Sequence, residues 1–187
     1  MLVLLLALIP ATYTFAGGGQ EQAVDDSNVL RVAFPQDVAT FDIMTTTAPP
    51  NEVRWMVFEG LLALDSQTVP RPHLAESYEE SADGLTWTFK LREGVTFHDG
   101  TKMKSEDVVA SWGRYKEVGS RASSLKMVDD VVAIDERTVE FRLNTRSSGT
   151  FLSVLGVSSG ILGIYPKWVI DEIGTDDLVE LKHMVGT

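Results

Sequence analysis

The 187-residue sequence contains no cysteine, and it has few basic residues, with 16 lysines and arginines against 27 aspartates and glutamates. The absence of cysteine excludes disulfide bonds, thiol catalysis and cysteine-ligated zinc. The net charge of -11 disfavours nucleic acid as a partner, because an acidic surface repels phosphate backbones. The histidines, His73, His98 and His183, do not follow the spacing of metal ligands, so we expect neither a metal nor a cofactor.

What the chain does contain is typical of a globular protein, with 44% hydrophobic and 23% charged residues. Because domains usually hold roughly 100–200 residues, this length indicates one or two domains.

The N-terminus resembles an export signal. The stretch before Ala16 is uncharged and mostly apolar, and the first charged side chain is Glu21. Such a run is shorter than the roughly 18 apolar residues of a membrane-spanning helix, and it fits the apolar region of a signal peptide. We therefore expect a signal peptide over residues 1–16 and a flexible mature N-terminus over residues 17–28, the alternative being a buried apolar helix or strand. Without a cysteine at the cleavage site, we expect no lipid anchor.

Alternation of apolar and polar residues predicts several strands. The clearest runs from Thr86 to Arg92 and directs Trp87, Phe89 and Leu91 to one face. Other predicted strands cover residues 29–34, 95–98, 128–134 and 139–143, and residues 65–72, with two prolines, are predicted to form a turn.

Helical spacing of apolar residues predicts the remaining elements. One helix is expected over residues 51–62, and a second is expected to start with Ser105 as its N-cap and to end near Gly119. The apolar stripe of the second helix comprises Val108, Val109, Trp112 and Tyr115. Two further helices are expected, one from Pro166 through Ile173 and one capped by Thr175, Asp176 and Asp177. This mixed order favours an α+β or mixed α/β fold.

One short motif suggests catalysis. Residues 156–160 match the G-x-S-x-G pattern of serine hydrolases, with Ser158 as nucleophile, and Asp171 or Asp176 and His183 follow in the required order. The segment after Gly160 is a poor helix start, and only 27 residues remain to present the acid and the base. A secreted serine hydrolase therefore stays an alternative, while a binding protein without catalytic residues is favoured by elimination.

Longer blocks carry a family resemblance. The stretch from Thr86 to Trp112, TWTFKLREGVTFHDGTKMKSEDVVASW, closely resembles a characteristic block of the bacterial extracellular solute-binding proteins of family 5, the periplasmic receptors of oligopeptide, dipeptide and nickel ABC importers. Shorter blocks fit this family in the same order: residues 30–33, 40–42, 57–62 and 72–78. The resemblance covers residues 29–187.

This resemblance implies a periplasmic-binding-protein-like fold of type II, of mixed α/β (α+β) class. Residues 29–47 would start the first lobe, residues 48–148 would form the extra small α/β domain, and residues 149–187 would return to the first lobe. The closing Val185-Gly186-Thr187 resembles the first half of a V-G-T-G-P-Y block. Family members continue for several hundred residues, so we expect an N-terminal fragment whose second lobe is missing.

The resemblance also implies a function. It implies a periplasmic monomer, not an enzyme, that closes around a peptide or other small solute and delivers it to an ABC permease in the inner membrane. Two loops would line the ligand cleft: Thr45, Thr46 and Thr47 in the first, and Ser158, Ser159 and Gly160 in the second. A peptide, a nickel complex and an oligosaccharide all stay open as ligands, and a non-functional truncated remnant is a further alternative.

Overall fold

A four-stranded antiparallel sheet is the largest element of the described chain. The structure is a computed structural model, and it describes residues 40–47, 54, 56–156, 162–178 and 180–187. All of these lie in one unit, residues 34–187. The predicted signal peptide, the flexible mature N-terminus, the strand over residues 29–34 and the loop containing Ser158, Ser159 and Gly160 lie outside the described residues.

The strands form two sheets. Strands β1 (Leu62–Leu64) and β2 (Pro70–Pro72) make a two-stranded antiparallel ribbon. The larger sheet has the order β3-β4-β6-β5, with every neighbouring pair antiparallel. Its strands are β3 (Ala75–Glu80), β4 (Thr86–Leu91), β5 (Val128–Asp135) and β6 (Thr138–Leu143).

Apart from the single helical residue Arg54, the described residues contain three α-helices: α1 (Ser105–Val118), α2 (Ser148–Leu155) and α3 (Lys167–Ile173). Short 3-10 helices cover Ala122–Leu125 and Leu181–His183. Helix α1 packs against β5 and β6 and also contacts α3, so it links the sheet to the C-terminal part of the chain.

Aromatic rings fill the space between the sheet and the helices. Phe89 of β4 and Phe141 of β6 are fully buried, with ring centroids 5.3 Å apart. Trp112 of α1 and Phe151 of α2 lie 6.2 and 5.6 Å from the Phe141 ring. Edge-on and tilted contacts at these distances are favourable arrangements of aromatic quadrupoles. The predicted strand at residues 86–92 and the apolar stripe of α1 are therefore confirmed.

The predicted helix over residues 51–62 is wrong in its second half. Arg54 is helical, but Met56 and Val57 form a turn, and Leu62 already begins β1. The Met56 side chain is 73% exposed, so it does not belong to a buried face. After this turn the backbone pairs with another segment, since the Leu61 carbonyl oxygen accepts hydrogen bonds from the N–H groups of residues 73 and 75, at 3.0 and 3.1 Å.

Two other strand assignments also differ. Residues 70–72, predicted as part of a turn, form β2, because a short edge strand tolerates the two prolines. Residues 95–98, predicted as a strand, make only one isolated bridge, between Thr96 and Lys102. Strand β3 was not predicted, since four of its six residues are exposed and give no clear alternation.

The helix boundaries need two corrections. Lys104, not Ser105, is the N-cap of α1, and its N–H donates to Asp107 Oδ2 at 2.7 Å. Ser105 is the first helical residue, and its hydroxyl donates to the Asp135 carbonyl oxygen. The helix predicted after Thr175–Asp177 is absent from the described residues there, which form a turn and a bend before the short 3-10 helix at Leu181–His183.

Gly186 lies where two backbone segments touch. A Cβ atom at this position would lie 1.5 Å from the Val57 carbonyl oxygen. The His98 N–H donates to the Gly186 carbonyl oxygen at 2.8 Å, and the Thr187 hydroxyl donates to Glu59 Oε2 at 2.7 Å. The segment therefore needs glycine, because any side chain would push the two backbones apart.

Substitution of this glycine tests that packing. Gly186→Ala should lower the free energy of unfolding by about 2–3 kcal/mol, because the methyl group overpacks the contact. Gly113→Ala is the matched control, since a Cβ there meets nothing within 4 Å. This control should gain roughly 0.5–1 kcal/mol from better helix propensity. Urea unfolding of both variants measures the difference, and equal effects would contradict the proposed packing.

Candidate ligand-binding site

The loop of residues 40–47, which we call the threonine loop, contains the predicted cleft residues Thr45, Thr46 and Thr47. An ion pair between Arg114 Nη2 and Asp42 Oδ2 anchors it, and both side chains are buried, with exposures of 1% and 0%. Buried charges of this kind are tolerated only when each is paired and its remaining donors and acceptors are bonded.

Tyr165 completes the surroundings of the Asp42 carboxylate. Its hydroxyl donates to Asp42 Oδ1 at 3.0 Å and accepts a hydrogen bond from the Ile43 N–H at 3.2 Å. The Met44 N–H also donates to Asp42 Oδ1, at 2.9 Å. Burial, followed by the nearby Asp42 charge, raises the pKa of Tyr165 well above its usual value, so the phenol keeps the proton that it donates. The Phe58 ring stacks on Tyr165 at a centroid distance of 4.4 Å.

The other donors of Arg114 reach the turn after α3. Its Nε donates to the Gly174 carbonyl oxygen at 2.8 Å, and its Nη2 donates to the Asp176 carbonyl oxygen at 2.7 Å. One side chain on α1 thus joins the threonine loop to the end of α3. These bonds also explain why Asp176 does not cap a new helix, since its backbone is held in the turn by Arg114.

A second polar contact fixes the start of α3 against α1. The two oxygens of Asp107 accept hydrogen bonds from the N–H groups of Lys104 and Lys167, each at 2.7 Å. Burial raises the pKa of this carboxyl group. The Ser111 hydroxyl accepts from the Tyr165 N–H at 2.9 Å. Residues 107, 111 and 114 therefore form a polar stripe on α1 that faces the protein interior.

The threonine loop is held at both ends and presents hydroxyl groups. The Arg54 Nε donates to the Thr40 carbonyl oxygen at 2.8 Å, and the Ser120 N–H donates to the Met44 carbonyl oxygen at 2.8 Å. Thr46 is half-buried and Thr47 is exposed. The Thr45 Oγ1 atom is buried and has no hydrogen-bond partner in the described part of the chain. An unbonded buried hydroxyl is uncommon in proteins and calls for an explanation, such as a ligand or a water molecule.

The serine-hydrolase alternative finds little support in the described residues. Ser158 lies outside them. The Asp171 carboxylate accepts hydrogen bonds from Lys167 Nζ at 2.6 and 2.7 Å, whereas His183 Nε2 lies 3.2 Å from Glu172 Oε1. The polar contacts of Asp171 and His183 among the described residues thus go to different groups, and the expected acid–base pair does not form between them.

Neither a metal cluster nor a membrane span is found where the structure describes the chain. No three His, Asp or Glu side chains there are placed to hold a metal ion. No described helix is both long enough and apolar enough to cross a membrane.

The buried anchor yields a testable prediction. Arg114→Met should lower the free energy of unfolding by about 3–5 kcal/mol, because it leaves the Asp42 carboxylate buried without its cation. Lys167→Met is the matched control, since it removes the exposed ion pair with Asp171, which contributes about 0.5 kcal/mol or less. Urea unfolding compares the two, and similar losses would show that the buried pair is not the anchor.

Comparison with known proteins identifies a family and relatives with similar sequences. Residues 69–187 match the family model described as bacterial extracellular solute-binding proteins, family 5 Middle. The chain is 33% identical over 120 residues to a probable peptide ABC transporter periplasmic-binding protein of Sinorhizobium fredii, covering 63% of this chain and 22% of that protein. It is 32% identical over 149 residues to the glutathione-binding protein GsiB of Escherichia coli, covering 69% of this chain and 29% of that protein.

A solved structure agrees with these matches. The periplasmic binding protein DppA of Helicobacter pylori, in complex with the peptide STSA, is similar with a TM-score of 0.66 and 28% identity. The match covers 81% of this chain and 34% of that protein. The chain therefore spans about a third or less of the length of these relatives. These relatives are solute-binding proteins rather than enzymes, and the mixed α/β fold of type II periplasmic binding proteins is confirmed. The chain belongs to family 5 of the bacterial extracellular solute-binding proteins.

Proposed function

We propose that this chain forms part of a receptor that binds a short peptide in the periplasm and delivers it to the permease of an ABC importer. Family membership supports a role in transport, and the three relatives above are named for peptide, glutathione or peptide-complex binding. The receptor would be exported by the signal peptide at residues 1–16 and act as a monomer. It would close around its ligand without performing chemistry on it.

The observation that carries this proposal is the unbonded Thr45 hydroxyl. Its loop is anchored by the buried Asp42–Arg114 ion pair, and the Thr45 residue as a whole is only half-buried, at the edge of the loop's packed part. Binding sites commonly contain a few rigidly placed polar groups that form hydrogen bonds with the ligand when it binds. A peptide amide or carbonyl would supply the missing hydrogen bond.

The composition of the threonine loop favours a peptide backbone over a charged group. Residues 43–47 read IMTTT and carry no charge. The neighbouring charge, on Asp42, is paired with Arg114. Hydroxyls serve as both donors and acceptors, which suits the alternating N–H and carbonyl groups of a peptide. Ser158, Ser159 and Gly160 would supply the second loop of the same wall, where residues 149–187 return to the first lobe. Residues 48–148 would form the inserted small domain.

A ligand panel tests the receptor function. The protein purified from its native host should melt at a higher temperature with a short peptide of L-residues, because a ligand at 100 times its Kd adds about 2.7 kcal/mol to the stability of the folded state. The peptide of the same sequence made from D-residues is the control. Glutathione and nickel with histidine complete the panel. No shift with any of these ligands would overturn the proposal, and a shift with nickel and histidine alone would replace the peptide as ligand.

A substitution tests the threonine loop separately. Thr45→Val keeps the side-chain shape and removes the hydroxyl, so it should weaken peptide binding by about 2- to 10-fold. The same change should leave the stability of the ligand-free protein unchanged or raise it by about 1 kcal/mol, because a buried unbonded hydroxyl is costly.

Thr88→Val in strand β4 is the control for this substitution, since Thr88 is a half-buried threonine in the sheet, outside the loop. Calorimetric titration and urea unfolding measure the two effects. Unaltered peptide affinity in Thr45→Val would remove this residue from the ligand site.

A further inference from the structure

A depression of about 280 Å³ lies away from the threonine loop, and we call it the turn pocket. It forms where three turns meet: residues 92–95 after β4, residues 102–104 before α1, and residues 136–137 between β5 and β6. Four of the 16 basic residues of this acidic chain line it: Arg92, Lys102, Lys104 and Arg137.

Backbone hydrogen bonds hold the three turns rigidly together. The Met103 N–H donates to the Val95 carbonyl oxygen at 3.1 Å, and the Ser105 N–H donates to the Glu136 carbonyl oxygen at 2.9 Å. The Leu91 N–H donates to the Arg137 carbonyl oxygen at 2.7 Å. The backbone that carries the four basic side chains is thus ordered before a ligand binds. This lowers the entropic cost of binding.

The acids of the turn pocket are already paired with two of the cations. Lys104 Nζ lies 3.0 Å from Glu136 Oε1, and Arg137 Nη1 lies 3.4 Å from Glu93 Oε2. Arg137 also contacts Glu76, at 3.2 Å, and donates to the Leu91 carbonyl oxygen from Nε and Nη2. Two of the four basic side chains therefore have their charge matched within the protein.

The other two basic side chains keep unused donors. Arg92 donates from Nε to the His73 carbonyl oxygen. Its two Nη groups make no hydrogen bond or ion pair with the described residues. Lys102 is exposed and has no ion pair among the described residues. The side chains lining the pocket carry four positive and two negative charges, which leaves a net charge of +2.

From this arrangement we infer that the turn pocket binds a small dianion, either a phosphate or a short dicarboxylate. The two Nη groups of Arg92 form a planar pair of donors that matches two oxygens of such an anion, and Lys102 supplies a second, mobile charge. The depression has room for either anion, and its lining carries more positive than negative charge. The site is independent of the threonine loop and of the proposed transport function.

Calorimetric titration of the purified protein with inorganic phosphate and with succinate, at constant ionic strength, tests this site. Saturable binding of at least one anion is expected. Arg92→Gln and Lys102→Gln should each weaken it by about tenfold or more, as expected for loss of a hydrogen bond to a charged group. Lys126→Gln removes an exposed lysine outside the pocket and should leave binding unchanged. Thr45→Val should also leave it unchanged, which separates this site from the proposed peptide site.

Each possible result of this titration either supports or overturns the inference. Phosphate binding without succinate binding, or the reverse, assigns the anion and supports the inference if both pocket variants weaken it. Because Lys102 is exposed, its variant stays informative even if Arg92→Gln fails to fold. Absence of saturable binding overturns the inference. Equal weakening by Lys126→Gln, or binding unaffected by Lys102→Gln, also overturns it, since either result would mean that the anion responds to the general surface charge.

Discussion

The buried ion pair of Arg114 and Asp42 is the contact on which the candidate binding site depends. Taking two charges out of water costs several kcal/mol for each ion, and attraction compensates only when every other donor and acceptor is also bonded. The surroundings meet this condition, because Tyr165 and the Met44 N–H serve the carboxylate while two carbonyl oxygens serve the guanidinium. Residues far apart in sequence are thereby held in a single arrangement.

This arrangement separates support from recognition. The aromatic core between the sheet and α1 stabilises the fold and fixes the position of α1. The polar stripe of α1 then holds the threonine loop in place through its hydrogen bonds and its ion pair. The loop itself then carries an unbonded hydroxyl at Thr45, which lowers the stability of the ligand-free protein. A rigid loop with an unsatisfied group is suited to binding, since little further ordering is needed when a ligand arrives.

The sequence patterns of neighbouring residues predicted the strands and helices that such patterns determine. Strand β4 follows from strict alternation and the apolar stripe of α1 from helical spacing, whereas β1 and β2 have only three residues each, too few for an alternation to show, and only the pairing of their backbones defines them. The anchor was missed for a related reason. Residues 107, 111 and 114 recur at helical spacing, but a polar stripe on a helix usually faces solvent, and nothing local shows that Asp42 lies opposite. Thr45, Thr46 and Thr47 were identified by resemblance, and their role in binding stays a prediction.

A double-mutant cycle on the buried pair tests this account most directly. The free energy of unfolding would be measured for the unchanged protein, Asp42→Asn, Arg114→Met and the double variant. If the pair anchors the threonine loop, the two changes will be strongly non-additive, with a coupling energy of about 2 kcal/mol or more. If the losses simply add, the two side chains act independently, and the ion pair cannot be what holds the loop in place.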